Sequence, residues 1–415
     1  MSIRPFRFLH ASDLHLEQPL YGVAEVPPQL RDLFLDAPRI AAERVFDTAV
    51  AEGVDFVVLS GDVLHPHEAG PPGLAFLLAQ LGRLHERGID VFWAGGTVDP
   101  PERWPRELRL PERVHRFPSA RVEWHTVTRT DGELAVVAGR APRRGMAIRS
   151  ADYVPRRRGG YVVAAAYGKA GTQLTDGSHV SFWALGGRHG RKTVASSPAV
   201  VHYPGSPQGR CPAETGPHGC TLVSVDAEGG TRTQLVTTDA VRWVEERFEL
   251  PDGANRRDLE AQLRQRLQLL GEGLSGQHLV VRCTVLADGR LGRQLRRTAL
   301  ARELTDWLRQ EFAGQTPGVW TAELQCQPAQ ISAGRFPEDS LLADYLRLCR
   351  EYEAQPDAAL ELERYLPERQ LADELTGVLN LADGDERQRI VREAAVLGLD
   401  LLSGEATDAP RGVGA

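Results

Sequence analysis

Asp13-Leu14-His15 is the stretch of this chain whose residue types first suggest metal binding. Asp13-Leu14-His15 follows a short apolar run, Phe6 and Phe8-Leu9, that reads as a buried strand. A carboxylate and an imidazole two apart at a strand's carboxyl edge are natural first ligands for a hard or borderline divalent cation. A single Asp-x-His pair is also a common polar strand end, so its meaning depends on partners at later strand ends. Asp62 closes a second strand-like run, Val54 to Leu59 with Ser60-Gly61. Two further ends, Ala165-Ala166-Tyr167-Gly168 and Leu185-Gly186-Gly187-Arg188-His189, come later in the chain.

The elements that must position these residues follow from periodicity. Ile40, Val45, Phe46, Ala49 and Val50 fall near helical spacing, so a helix is expected over 36–52, with Pro38 early and Gly53 as its stop. A second helix is expected over 73–88. A third strand, Ile89 to Ala94, ends in Gly95-Gly96-Thr97-Val98-Asp99-Pro100. Alternating strands and helices at this spacing imply right-handed crossovers and a largely parallel sheet. Sites in such sheets gather at the carboxyl edge, where Asp13, Asp62 and residues 97–99 all fall.

Further strands are expected at 122–127, 134–139, 161–166, 181–185, 199–203 and 221–225. Near residue 240 the composition shifts. Strands over 241–250, 278–286 and 319–325, with helices over 257–270 and 299–312, suggest a small separate α/β domain. Asp288-Gly289 reads as a turn, and Arg290, Arg293, Arg296 and Arg297 make a basic patch. Arg156-Arg157-Arg158 is a basic turn that could meet a phosphate backbone or simply be solvated. Helices are expected over 340–353, 358–365, 370–379 and 385–402, and disorder over 404–415. Leu341, Leu342, Tyr345, Leu346 and Leu348 give the first of these helices an apolar face that could dock a partner or pack on its own domains.

At 415 residues, with 42% hydrophobic and 25% charged residues, the chain has the make-up of an ordinary soluble protein of two or three domains. It has no apolar run of about 18 residues, so no membrane span is expected. No signal-peptide core follows Met1, and a cytoplasmic location is expected. A net charge of −7 excludes binding nucleic acid through bulk charge alone, but not through a local basic surface. Five scattered cysteines without a CxxC argue against a disulfide framework. Cys211, His218 and Cys220 fit no standard zinc spacing and read as loop residues.

Asp13-Leu14-His15, Gly61-Asp62, Gly96-Thr97-Val98-Asp99, Tyr167 and Gly186-Gly187-Arg188-His189 occur in the order of the five calcineurin-like metallophosphoesterase motifs, which the chain resembles. Those motifs are D-x-H, G-D, G-N-H-D, a lone H and G-H-x-H. Ser12 to Leu16, Trp183 to His189 and His202-Tyr203-Pro204-Gly205-Ser206-Pro207-Gln208-Gly209-Arg210 look like the bacterial SbcD exonuclease branch of DNA double-strand-break repair. The resemblance implies a four-layer αββα metallophosphoesterase sandwich over 1–240 and an α/β capping domain over 241–332. It further implies a helical partner-binding region over 333–403, ahead of the tail at 404–415. Its implied partners are DNA, an SbcC-type SMC-like ATPase and a second copy of the chain.

Carried over by motif, one ion of the family's Mn²⁺-type pair would take Asp13, His15, Asp62 and His189. The second ion would share Asp62, but its other ligand positions hold Thr97, Tyr167 and Gly187, and the family's catalytic histidine is Val98. The resemblance therefore implies one divalent metal, Mn²⁺ by family habit, in a degenerate site. Two-metal hydrolysis needs both ions, and valine offers no proton donor. Three readings follow: a subunit that binds DNA and its ATPase partner with weak or absent phosphodiesterase activity; a working exonuclease using one ion or replacement ligands; and a scaffold without metal. His65, His67 and His179 are the nearby histidines that could replace lost ligands, and each also reads as a polar loop residue. A cluster of two carboxylates and two histidines is costly to bury without an ion, which disfavours the scaffold.

Overall fold

A computed structural model describes residues 3–402, except 106, 131, 144–146, 156–158, 172–173, 176–178, 252, 275, 315–316, 329–336, 338 and 356–383. The basic turn at 156–158, the helices expected over 358–365 and 370–379, and the tail at 404–415 lie outside the described residues. The chain falls into two compact units. The first comprises Met1–Glu245, Leu267–Arg282 and Leu308–Ala322; the second comprises Glu246–Arg266, Cys283–Trp307 and Glu323–Ala415.

The first unit is built on two six-stranded sheets. One contains β1 (Phe6–Ala11), β2 (Phe56–Leu59), β3 (Asp90–Ala94), β4 (Val114–Phe117), β11 (Gly219–Val225) and β12 (Thr231–Thr237), in the order β12-β11-β1-β2-β3-β4. Strands β1 to β4 are parallel, while β11 runs antiparallel to β1. The other contains β5 (Glu123–Arg129), β6 (Gly132–Gly139), β7 (Val162–Tyr167), β8 (Phe182–Gly186), β9 (Lys192–Ala195) and β10 (Val200–Tyr203), in the order β5-β6-β7-β8-β10-β9. The two inner faces share one apolar core. Phe8 stacks on Phe56 at 4.8 Å and meets Phe182 edge-on at 5.3 Å. Aromatic pairs of this kind contribute about 0.5–1.5 kcal/mol each beyond area burial.

Helices α1 (Pro28–Ala51) and α2 (Gly70–Glu86) cover the outer face of the first sheet through Val45, Phe46, Leu77 and Leu81. The outer face of the second sheet is covered by Tyr153, Leu174 and Val180, from connecting segments that contain the 3₁₀ turn Ser150–Asp152. The sandwich expected from the sequence is therefore present. Among the described residues its fourth layer is a packed loop rather than an α-helix.

The expected α1 was too short, and Pro38 is not early in it. The helix starts at Pro28, where a proline's missing N–H is harmless, and Pro38 lies buried in its interior. A mid-helix proline leaves the carbonyl four residues earlier without its usual donor. That carbonyl, on Phe34, accepts the Leu20 N–H at 3.1 Å.

Strands β13 (Val241–Glu249), β14 (His278–Leu286) and β15 (Val319–Gln327) form a third sheet in that order, accompanied by α3 (Arg256–Glu272) and α5 (Leu300–Glu311). Asp288-Gly289 does not make a free turn: Asp288 stands at the N-cap position of α4 (Gly289–Arg297), without a side-chain capping bond, and the helix buries Leu291 and Leu295. The basic patch is correspondingly smaller than expected. Within the second unit Arg296 pairs with buried Asp400 at 2.7 Å, and Arg297 donates to the Asp400 carbonyl at 3.3 Å. Helices α6 (Leu341–Ala354) and α7 (Gly384–Leu402) pack through Leu342, Leu346, Ala395 and Leu399. Leu341, Leu348, Leu397 and Leu401 stay exposed. No helix among the described residues is long and apolar enough to cross a membrane.

Candidate metal centre

The carboxyl ends of β1 and β2 are tied together by main-chain bonds. Ser60 N donates to Ala11 O, Asp13 N to Gly61 O at 2.9 Å, and His15 N to Asp62 O at 3.1 Å. Asp13, His15 and Asp62 are the non-glycine residues with positive φ among those described, at 55°, 44° and 49°. Left-handed backbone is uncommon outside glycine, although Asp and His tolerate it better than most residues, and such strain gathers at functional sites. Here it turns two strand ends so that their side chains face one space.

Asp13, His15 and His189 each present a ligand atom within 4.8 Å of the others, and they are the group of this kind among the described residues. Asp62 lies beside them, its Oδ2 3.9 Å from His15 Nε2. His15 is buried, yet neither ring nitrogen has a hydrogen-bond partner. Two unpartnered nitrogens on a buried imidazole are costly unless something else binds there. The donor set, two imidazoles with carboxylate oxygens, suits a divalent transition metal. On these grounds the residues fit an ion. Burial raises the Asp13 carboxyl above its ordinary value, with a further push from the Asp62 charge, against the donors Ser12 Oγ at 2.6 Å and Gly187 N.

Tyr167 and Thr97, two positions where the resemblance places ligands of a second ion, are joined to Asp62 by a chain of hydrogen bonds. Tyr167, at the end of β7, donates its hydroxyl to Asp62 Oδ2 at 2.5 Å, and Thr97 Oγ1 donates to the same phenol at 3.1 Å. Burial, followed by the bond to Asp62, pushes the phenol well above its usual pKa. The ring also fills the place of a side chain at Gly187, where a Cβ would stand 3.0 Å from Tyr167 Cζ. Val98 contributes only its backbone N–H, to Asp62 Oδ1 at 2.8 Å. His65 and His67 stand together, with His65 Nδ1 accepting the Glu68 N–H, and neither joins the ligand group; nor does His179.

Asp99 anchors this arrangement from below. Its buried carboxylate accepts from Asp62 N, Val63 N, Gly96 N and Trp93 Nε1 at 2.6–3.2 Å, locking the end of β3 to the end of β2. Burial still pushes this carboxyl up to about 6, with the Asp62 charge adding to the effect against the N–H donors.

Three contributors were not identified from the sequence. The Glu17 side chain is buried with Oε1 3.7 Å from His15 Nδ1. Glu214 Oε1 lies 2.6 Å from His189 Nδ1, and Arg210 places a guanidinium nitrogen 3.2–3.3 Å from both His189 ring nitrogens. Burial alone would raise Glu214, but the His189 bond and the Arg210 N–H hold it at about 2. Spacing could have flagged Glu17, two residues past His15. Nothing local signalled Glu214. Cys211, His218 and Cys220 make no metal group: His218 Nδ1 is engaged by Ser206, and Cys220 is buried in β11.

Two layered sheets thus bring candidate metal-ligating side chains together at their strand ends. Over 262 residues, 60% of its length, the chain is 28% identical to the uncharacterized metallophosphoesterase YhaO of Bacillus subtilis (strain 168). The match spans 64% of that relative's own length. No family model matches the chain. Among solved structures, a dimetal phosphatase from Danio rerio gives a TM-score of 0.33 at 11% identity, covering 56% of this chain and 99% of its own, a likeness too slight to carry weight.

Proposed function

We propose that this chain is an SbcD-like, metallophosphoesterase-type subunit with one metal site, which binds DNA and an SMC-like ATPase and has weak or no phosphodiesterase activity. The observation that carries the reading is the Tyr167 plug: the phenol occupies the space beside Gly187 and bonds to the carboxylate that two ions would share. Asp13, His15 and His189, with Asp62 beside them, would hold the single ion. Lewis-acid polarisation of a phosphoryl oxygen is the chemistry such an ion supplies. The chain then offers little to complete hydrolysis. Val98 has no proton to give, and the Tyr167 proton is committed to Asp62. By resemblance the ion is Mn²⁺; the imidazoles make Zn²⁺ the competitor to measure against.

The exposed leucines of α6 and α7 support a helical docking surface for the ATPase. A homodimer and a cytoplasmic setting are parts of the same proposal. Two measurements test it. Titration of metal-free protein with Mn²⁺ and Zn²⁺ should give one site, and no binding would reject the reading. Incubation with linear DNA, with and without a coiled-coil ATPase, should give at most slow cleavage. Robust Mn²⁺-dependent cleavage that vanishes in Asp62→Ala would establish the working exonuclease instead.

A further inference from the structure

The segment from Pro204 to Arg210 is a loop buried at every residue, although loops ordinarily lie at the surface. Its main chain is secured on several sides. Ser206 N donates to His189 O at 2.8 Å, and Trp243 Nε1 donates to Gly209 O at 2.8 Å. Gln208 accepts from Ala240 N and Val241 N and donates to Val241 O at 2.5 Å. Such anchoring is extensive for a connection with no ligand of its own. What it delivers is Arg210 and, just beyond, Glu214.

Glu214 bridges the loop and the centre. Oε2 accepts the Arg210 N–H at 2.7 Å, and Oε1 faces His189 Nδ1 at 2.6 Å. Arg210, itself buried and bonded to Gln18, places a guanidinium nitrogen 3.3 Å from Nδ1 and 3.2 Å from Nε2 of the same imidazole, so an ion at Nε2 would displace it. His15 has a looser counterpart: Glu17 Oε1, unpartnered and buried, faces Nδ1 at 3.7 Å, while Nε2 lies 3.9 Å from Asp62. Glu17 is held in turn by the His65 N–H at 3.0 Å. A carboxylate on one imidazole nitrogen fixes the tautomer and leaves the other nitrogen's lone pair for a metal.

We infer that Glu17 and Glu214 are positioning residues that hold His15 and His189 as Nδ1–H tautomers, so that both present Nε2 to the ion beside Asp13. The inference rests on the one-ion reading of the centre. It assigns a role to the buried loop: its Arg210 N–H holds the Glu214 carboxylate that orients His189.

The test uses the full chain. Long-range ¹H–¹⁵N correlation of the metal-free protein at pH 8 should show both histidines protonated at Nδ1. Glu214→Ala should alter that signature for His189 alone, and Glu17→Ala for His15 alone. Each alanine variant should weaken Zn²⁺ or Mn²⁺ binding by about 10- to 100-fold in calorimetry. Glu214→Gln and Glu17→Gln keep an acceptor oxygen and should recover most of that affinity; they also carry the test if an alanine variant does not fold. Unchanged tautomers, or affinities within about threefold of the parent in folded variants, would overturn the assignment. Parent protein that shows the stated tautomers but binds no metal would reject the one-ion reading and leave the positioning intact.

Discussion

Replacing Tyr167 with Phe keeps the ring against Gly187 and removes only the hydroxyl that bonds to Asp62. A hydrogen bond to a carboxylate contributes about 1.5–3 kcal/mol, and this one is short and partly buried. The metal-free variant should lose about that much stability. For a unit of roughly 250 residues this corresponds to a fall in Tm of about 3–10 °C. An ion bound through Asp62 Oδ2 would compete with the phenol for the same oxygen. By linkage, most of what the metal-free protein loses should return as affinity, so Mn²⁺ or Zn²⁺ should bind the variant about 10- to 100-fold more tightly. Scanning calorimetry with and without metal, beside isothermal titration, measures both sides of the cycle. A variant that binds metal more weakly than the parent, or one whose stability is unchanged, would refute the competition between Tyr167 and the ion.

Other consequences are equally direct. Burial, with the Arg191 charge second, depresses His202 to about 3, and burial followed by the His202 charge also lowers His10. Both are neutral in the fold, so their stabilisation is complete above the unfolded histidine pKa of about 6.5 and falls below it by about 1.4 kcal/mol per pH unit for each group, for His202 down to about 3; urea unfolding between pH 7 and 4 should follow this, with a shallower slope in His202→Gln. Asp400→Asn would leave Arg296 buried with its charge uncompensated, and should cost about 3–5 kcal/mol. Faster hydrogen exchange across α7 would report that loss. Gly186→Ala would drive a Cβ into the Ser60 carbonyl of the neighbouring sheet, and should abolish metal binding or soluble expression.

The strands that sequence patterning did not reveal have a common place in the fold. β4 and β12 are the two edges of the first sheet, and β9 is an edge of the second. Thr231 to Thr237 and Lys192 to Ala195 bury none of their residues, so neither shows the apolar alternation that marks a half-buried strand. The central strands β1, β2, β3, β7 and β8 are buried throughout or nearly so, and their uninterrupted apolar runs were readable. Helix α4 was hidden for a related reason. It buries Leu291 and Leu295, one turn apart, among four arginines, behind an Asp-Gly pair that also suits a turn. The early limit of α1 was missed because Pro27-Pro28 reads as a break, whereas Pro28 opens the helix.

The centre was legible to the extent that it is made of strand ends. Asp13, His15 and Asp62 sit where a run of buried apolar residues stops, and that position can be read without a structure. Glu17 and Glu214 could not be read in this way, because a glutamate in a loop looks solvated until the fold buries it. The exchange at Tyr167 and Gly187 carried more information than either substitution alone. A large side chain at one position and none at the other, 20 residues away in the sequence, is what a packed contact would require. Read separately, the two residues are lost ligands. Read together, they describe a cavity that has been filled. A site that had merely decayed would be expected to leave space and unpaired polar groups. Here Thr97 bonds to Tyr167 and Tyr167 to Asp62, while both ring nitrogens of buried His15 stay unpartnered. That distribution supports the one-ion reading proposed above.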